Sequence, residues 1–170
     1  MPAPVENPQP AVLFVCSGNT CRSPMAAALL RARLPEIPAE AVASAGTDAL
    51  PGEPASPEAV KIMAERGLTL LSHRSQRASA EILSTYPLIL VMTPAHKQRL
   101  LERSPRAGGK VFLLGELSGQ PESVSDPFGG GLQDYQRTAN QLERLLDLDL
   151  PHIRRILSTH YAQTSGLVTP

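Results

Sequence analysis

The chain has 170 residues, 42% of them hydrophobic and 19% charged, with 16 basic and 16 acidic residues in balance. That length suits one compact domain rather than two, and the zero net charge argues against a strongly basic nucleic-acid binder. Two cysteines, Cys16 and Cys21, are too few for a disulfide scaffold or an all-thiolate zinc site, and no apolar run approaches the roughly 20 residues that span a bilayer.

Residues 1–10 carry Pro2, Pro4, Pro8 and Pro10 and no basic residue, which predicts a flexible lead-in rather than a signal peptide. AVLFV at 11–15 is a short apolar run that predicts a buried strand, and it breaks into the small polar string CSGNTCRS. Pro24, behind the candidate cap Ser23, opens a strongly helix-forming stretch at 25–34. A second strand is expected at 41–46, a turn-rich loop at 48–56, and a helix at 57–67 with Pro at its start and Gly at its end. PLILVM at 87–92 predicts a central strand, followed by a helix at 94–103 and a short strand at 110–114. In the last helix Leu132, Tyr135, Ala139, Leu142, Leu145 and Leu146 form one apolar stripe, and Pro151 is expected to kink or end it.

Strands alternating with helices predict an α/β domain in three layers over 11–161, with a four-stranded parallel sheet flanked by helices and a loose tail at 162–170. In such sheets ligands sit beyond the carboxyl ends of the strands, which directs attention to the loop after the first strand.

Five residues separate Cys16 from Arg22, and the loop between them contains Gly18 and Asn19, which tolerate the backbone angles that curl a chain around an anion. Ser17, Gly18, Asn19, Thr20, Cys21 and Arg22 are the candidate phosphate binders. Loop amides and a helix N-terminus give such a site a positive potential, and Arg22 adds a planar fork for two phosphoryl oxygens. The same field is expected to lower the Cys16 pKa from about 8.5 toward roughly 3.5–7.5, making a thiolate nucleophile. The bland alternative, an inert buried thiol beside a surface arginine, leaves the Gly, Asn, Thr and Ser of the loop unexplained.

VLFVCSGNTCRSPMAAALL resembles the signature of the low-molecular-weight protein-tyrosine phosphatase family, and SAGT at 44–47, VMT at 91–93 and DPFGG at 126–130 follow in that family's order. The resemblance covers roughly 12–146. It implies hydrolysis of phosphorylated protein through a phosphocysteine, without metal or other cofactor, with Cys16 as nucleophile, Arg22 as phosphate clamp and Asp126 as general acid. It also implies loop support from Asn19, Ser23, Ser44 and His73. Thr20 stands where tyrosine-specific members usually carry a bulky aliphatic residue, and CSGNTCRSPM with DPFGG looks more like the branch that hydrolyses phosphoarginine. Thr20 and Phe128 are therefore the expected specificity residues, with phosphoarginine preferred and phosphotyrosine the alternative.

Cys21 is either a small residue packed beneath the first helix or, as the paired cysteines of the family imply, the redox partner of Cys16 in a reversible disulfide. Arsenate reduction on a related fold needs resolving cysteines downstream, and residues 22–170 contain none. A dead phosphoprotein-binding module is disfavoured by the joint presence of Cys16, Arg22 and Asp126. His73, His96, His152 and His160 are too scattered for a metal site, and the last three are expected on the surface. A cytoplasmic monomer acting on a phosphorylated protein, with no nucleic-acid or membrane partner, completes the expectation.

Overall fold

The computed structural model describes residues 8–166. Strands β1 (Val12–Cys16), β2 (Val42–Gly46), β3 (Leu88–Val91) and β4 (Val111–Leu113) form one parallel sheet in the order β2-β1-β3-β4. Helices α1 (Arg22–Arg33), α2 (Pro57–Ala64), α3 (Ala80–Thr85), α4 (Pro94–Arg103) and α5 (Leu132–Ser165) cover its two faces. The three-layer α/β expectation holds.

The central strands alternate strictly between two cores. Val12, Phe14 and Cys16 face one layer with Leu88, Leu90 and Met92, packed on Met25, Leu29, Leu142 and Leu146 of α1 and α5. Leu13 and Val15 face the other with Ile89 and Val91, against Leu83 and Leu100 of α3 and α4. Each strand is apolar on both sides because both are covered, which is why β1 and β3 read as continuous hydrophobic runs. Fully burying a side chain such as Phe14 stabilises the fold by about 1.5–3 kcal/mol.

Three expectations need correction. Helix α1 begins at Arg22 with Cys21 at its cap position, so Ser23 lies inside the helix and its hydroxyl does not cap it. Helix α5 runs through Pro151 to Ser165, because Ile153 and Leu157 continue the buried stripe and outweigh one lost backbone hydrogen bond. Residues 162–165, expected in a tail, belong to that helix. Residues 1–7 of the lead-in and 167–170 of the tail lie outside those described. Helix α3, unexpected, starts where Ser79 accepts from the amide of Ile82 at 3.2 Å and buries Leu83. No described helix is long and apolar enough to cross a membrane.

Candidate active site

β1 delivers Cys16 to the carboxyl edge of the sheet, and residues 17–21 turn back from it into the start of α1. Asn19 makes the turn with φ of 58°, the left-handed region that asparagine tolerates better than most residues. Four carbonyls of the loop are tied to segments outside it. Cys16 O accepts from the Thr47 amide at 2.9 Å, Ser17 O from Asp48 at 3.0 Å and Thr20 O from Ser56 at 2.9 Å. Asn19 O accepts from His73 Nε2 at 2.7 Å. Among the described residues, the amides of Ser17, Gly18, Thr20, Cys21 and Arg22 find no protein acceptor. Carbonyls satisfied on the outside and amides left on the inside make a concave donor set for an anion.

The back of this loop is tightly cross-braced. Asn19 Nδ2 donates to Ser23 Oγ at 2.8 Å and Ser44 Oγ at 2.9 Å, and Asn19 Oδ1 accepts from the Gln76 amide at 2.9 Å. Gly46 closes the brace: a Cβ there would collide with the Ser17 carbonyl oxygen. Ser23 Oγ lies 2.9 Å from Cys16 Sγ, and the Asn19 amide donates to the same sulfur at 3.3 Å. His73 holds the loop from outside, and its own burial lowers its pKa.

The electrostatics of Cys16 differ from expectation. Burial pushes the thiol up, and this outweighs the opposing pull of the Ser23 hydroxyl and amide, the Arg22 charge and the Asn19 amide. The sulfur sits at the floor of the pocket, 2% exposed, where a lone anion is costly to desolvate. Its ionisation therefore depends on every donor aimed at it.

Arg22 is 4% exposed. Its Nη1 donates to Val124 O at 2.9 Å, its Nη2 lies 3.5 Å from Asp126 Oδ2, and its buried Nε has no partner among the described residues. Asp126 is half-exposed and turns on a short loop in which its Oδ1 accepts from the Phe128 amide at 3.1 Å. The cavity above Cys16, about 440 Å³, is lined by Thr20, Arg22 and Asp126 together with Asp48, Leu50, Glu53 and Phe128. Phe128 and Leu50 are 73% and 71% exposed at its rim. Thr47 and then Arg99 hold Asp48 below the usual carboxylate range.

Every expected site residue thus falls in one cluster, with Ser23, Ser44 and His73 behind the loop and Thr20 and Phe128 on its open side. Cys21 is buried under α1 and free, its Sγ 3.2 Å from Tyr135 Oη and 3.4 Å from Ser56 Oγ. Burial and then the Cys21 contact push the Tyr135 hydroxyl upward in pKa. His96, expected on the surface, is 5% exposed, with Nε2 2.8 Å from Ser17 Oγ. Gln76, Asp48, Leu50 and Glu53 were also missed. The Thr-Pro pair at 93–94 signals a helix start, but nothing local places His96 beside β1. Among the described residues, no three His, Cys, Asp or Glu side chains gather to hold a metal ion.

Residues 11–155 match the family model described as low molecular weight phosphotyrosine protein phosphatase. A probable low molecular weight protein-tyrosine-phosphatase, EpsP, of Ralstonia nicotianae is 41% identical over 145 residues, covering 85% of this chain and 97% of its own. A protein-arginine-phosphatase of Geobacillus stearothermophilus is 42% identical over 137 residues, covering 80% and 90%. The solved structure of the YwlE arginine phosphatase from Geobacillus stearothermophilus superposes with a TM-score of 0.78 at 37% identity, covering 88% of this chain and 96% of that one.

Proposed function

The chain belongs to the low molecular weight phosphotyrosine protein phosphatase family and is a protein phosphatase of that type; from that premise we propose that it acts through a phosphocysteine on Cys16, with phosphoarginine as its preferred substrate. The phosphoryl oxygens take the free loop amides and the Arg22 fork. The Cys16 thiolate attacks phosphorus, the bond from phosphorus to the guanidine nitrogen breaks, and Asp126 gives its proton to that nitrogen. In the second step the Asp126 carboxylate takes a proton from water. The water oxygen attacks phosphorus, the S–P bond breaks, and phosphate leaves with Cys16 again a thiolate. Ser23 and the Asn19 amide, already on the sulfur, stabilise it both as nucleophile and as leaving group.

One observation carries the substrate assignment. Three carboxylates, Asp48, Glu53 and Asp126, line the same cavity as Cys16 and Thr20. A guanidinium leaving group matches the Asp48 and Glu53 carboxylates, with Asp126 beside them as the protonated acid, and a phenol does not. The apolar rim formed by Leu50 and Phe128 favours the second reading, a phosphotyrosine ring flanked by two hydrophobic side chains. A paired assay on phosphoarginine and phosphotyrosine peptides decides between them. We expect the wild type to favour phosphoarginine and Thr20→Ile to move preference toward phosphotyrosine; equal or reversed preference in the wild type removes the arginine reading.

A further inference from the structure

Ser17 and His96 meet because β1 and β3 are neighbours in the sheet, so the residue after Cys16 lies against the first turn of α4. His96 Nε2 is 2.8 Å from Ser17 Oγ, and His96 Nδ1 is 3.1 Å from Thr93 Oγ1. The Thr93 oxygen also caps α4 by accepting from the His96 amide at 3.3 Å. Ser17 and His96 line a second cavity of about 380 Å³ with Thr47, Arg99, Arg22 and Asp126, on the other side of the acid from the Thr20 wall. The chemistry proposed above gives this buried imidazole no task.

We propose that His96 is a positioning residue that bridges Thr93 to Ser17 and so directs the Ser17 hydroxyl proton into the space shared with Arg22 and Asp126. The proton inventory leads there. Thr93 Oγ1 accepts the His96 backbone N–H, and in the tautomer we assign it gives its own proton to His96 Nδ1. Nε2 then carries the ring hydrogen and donates it to Ser17 Oγ. With that oxygen occupied as an acceptor, the Ser17 proton turns to the cavity, where Asp126 and any oxygen of the reacting phosphoryl group can accept it. Burial and the adjacent Arg22 charge, with Arg99, outweigh Asp126 and Asp48 and hold His96 at about 4, so the ring keeps a single hydrogen to assign. A task at this position is orientation, so its loss shows in the chemical step more than in binding.

The inference rests on the phosphocysteine reading, and the two fail differently. Four enzymes are compared with the wild type in kcat and KM: Ser17→Ala, Ser17→Thr, His96→Asn and the Ser17→Ala/His96→Asn pair, each with its urea midpoint. Ser17→Ala and His96→Asn are each expected to lower kcat about tenfold with KM nearly unchanged, and the pair to be no worse than the poorer single variant. Ser17→Thr, which keeps the hydroxyl, retains most of kcat. Wild-type kcat in Ser17→Ala, or losses that multiply in the pair, overturns the proposal. If His96→Asn does not fold, the contrast between Ser17→Ala and Ser17→Thr decides it alone. Turnover by Cys16→Ser overturns the phosphocysteine reading instead, since it leaves the Ser17–His96 bond intact.

Discussion

The inner and outer walls of the Cys16 loop are built on opposite principles. Behind the loop, Asn19, Ser23, Ser44, Gln76 and His73 bind one another or the loop backbone at 2.7–2.9 Å, and Asn19, Ser23 and Ser44 are buried. In front, Phe128 and Leu50 stand largely in solvent and Asp126 is half-exposed. A network of satisfied buried polar groups has one arrangement and resists any other, which suits the part that must hold a sulfur and an anion in register. Exposed side chains reorient at little cost, which suits the part that receives leaving groups of different shape. The contrast predicts that damage behind the loop costs stability and rate together, whereas damage in front alters rate or selectivity and leaves the fold intact.

Cys16→Ser is the largest expected effect, a loss of turnover on the order of 10³-fold or more with the fold retained, read by phosphate release and circular dichroism. Asp126→Asn should lower kcat about 10²–10⁴-fold on substrates with poor leaving groups, much less on an activated aryl phosphate, and shift the melting temperature little. A large melting shift in that variant would break the contrast between the two walls. Asn19→Ala should destabilise by about 3 kcal/mol, roughly 10 °C in melting temperature, because three side-chain hydrogen bonds, two of them buried and one part-buried, go at once. Its kcat/KM should fall as well, since the cradle amides depend on that turn. Phe128→Ala should change kcat/KM by no more than about fivefold and stability within ~0.5 kcal/mol, as an exposed side chain allows.

A further effect concerns pH. The folded-state pKa of His96, about 4, lies below the ordinary 6.5, so the unfolded chain binds the extra proton between those values. Stability contributed by the neutral ring is complete above pH 6.5 and is lost as pH falls toward 4. A urea midpoint that declines over that window in the wild type, and less so in His96→Asn, is the expected result.

The same division marks what could be read from the sequence. The strands β1, β2, β3 and β4 were legible because each apolar run has sharp polar or glycine boundaries, and the Cys16 loop because its composition makes sense only as an anion site. What failed was whatever depends on contacts between distant segments. Pro151 carries a strong local signal to stop, yet Ile153 and Leu157 bury themselves beyond it and the helix goes on. Helix α3 has six residues and one buried side chain, too little periodicity to register. His96 was misplaced because its burial arises from the pairing of β1 with β3, a relationship absent from its neighbours in the chain. The Cys16 thiol was expected to acidify because its donors are visible in the motif, whereas the desolvation that opposes them comes from its burial in the folded core, which the motif does not display.

The acid-bearing segment is anchored at either end to the structure it serves. Val124 O holds Arg22 on one side, and Tyr135 Oη meets Cys21 on the other, so residues 125–134 are strung between two points of the same cradle. Asp126 is thereby kept on a short tether, of which residues 125–131 are loop and residues 132–134 are already the first turn of α5. Lengthening that tether by inserted glycines would loosen the leash on the proton donor while sparing both moorings.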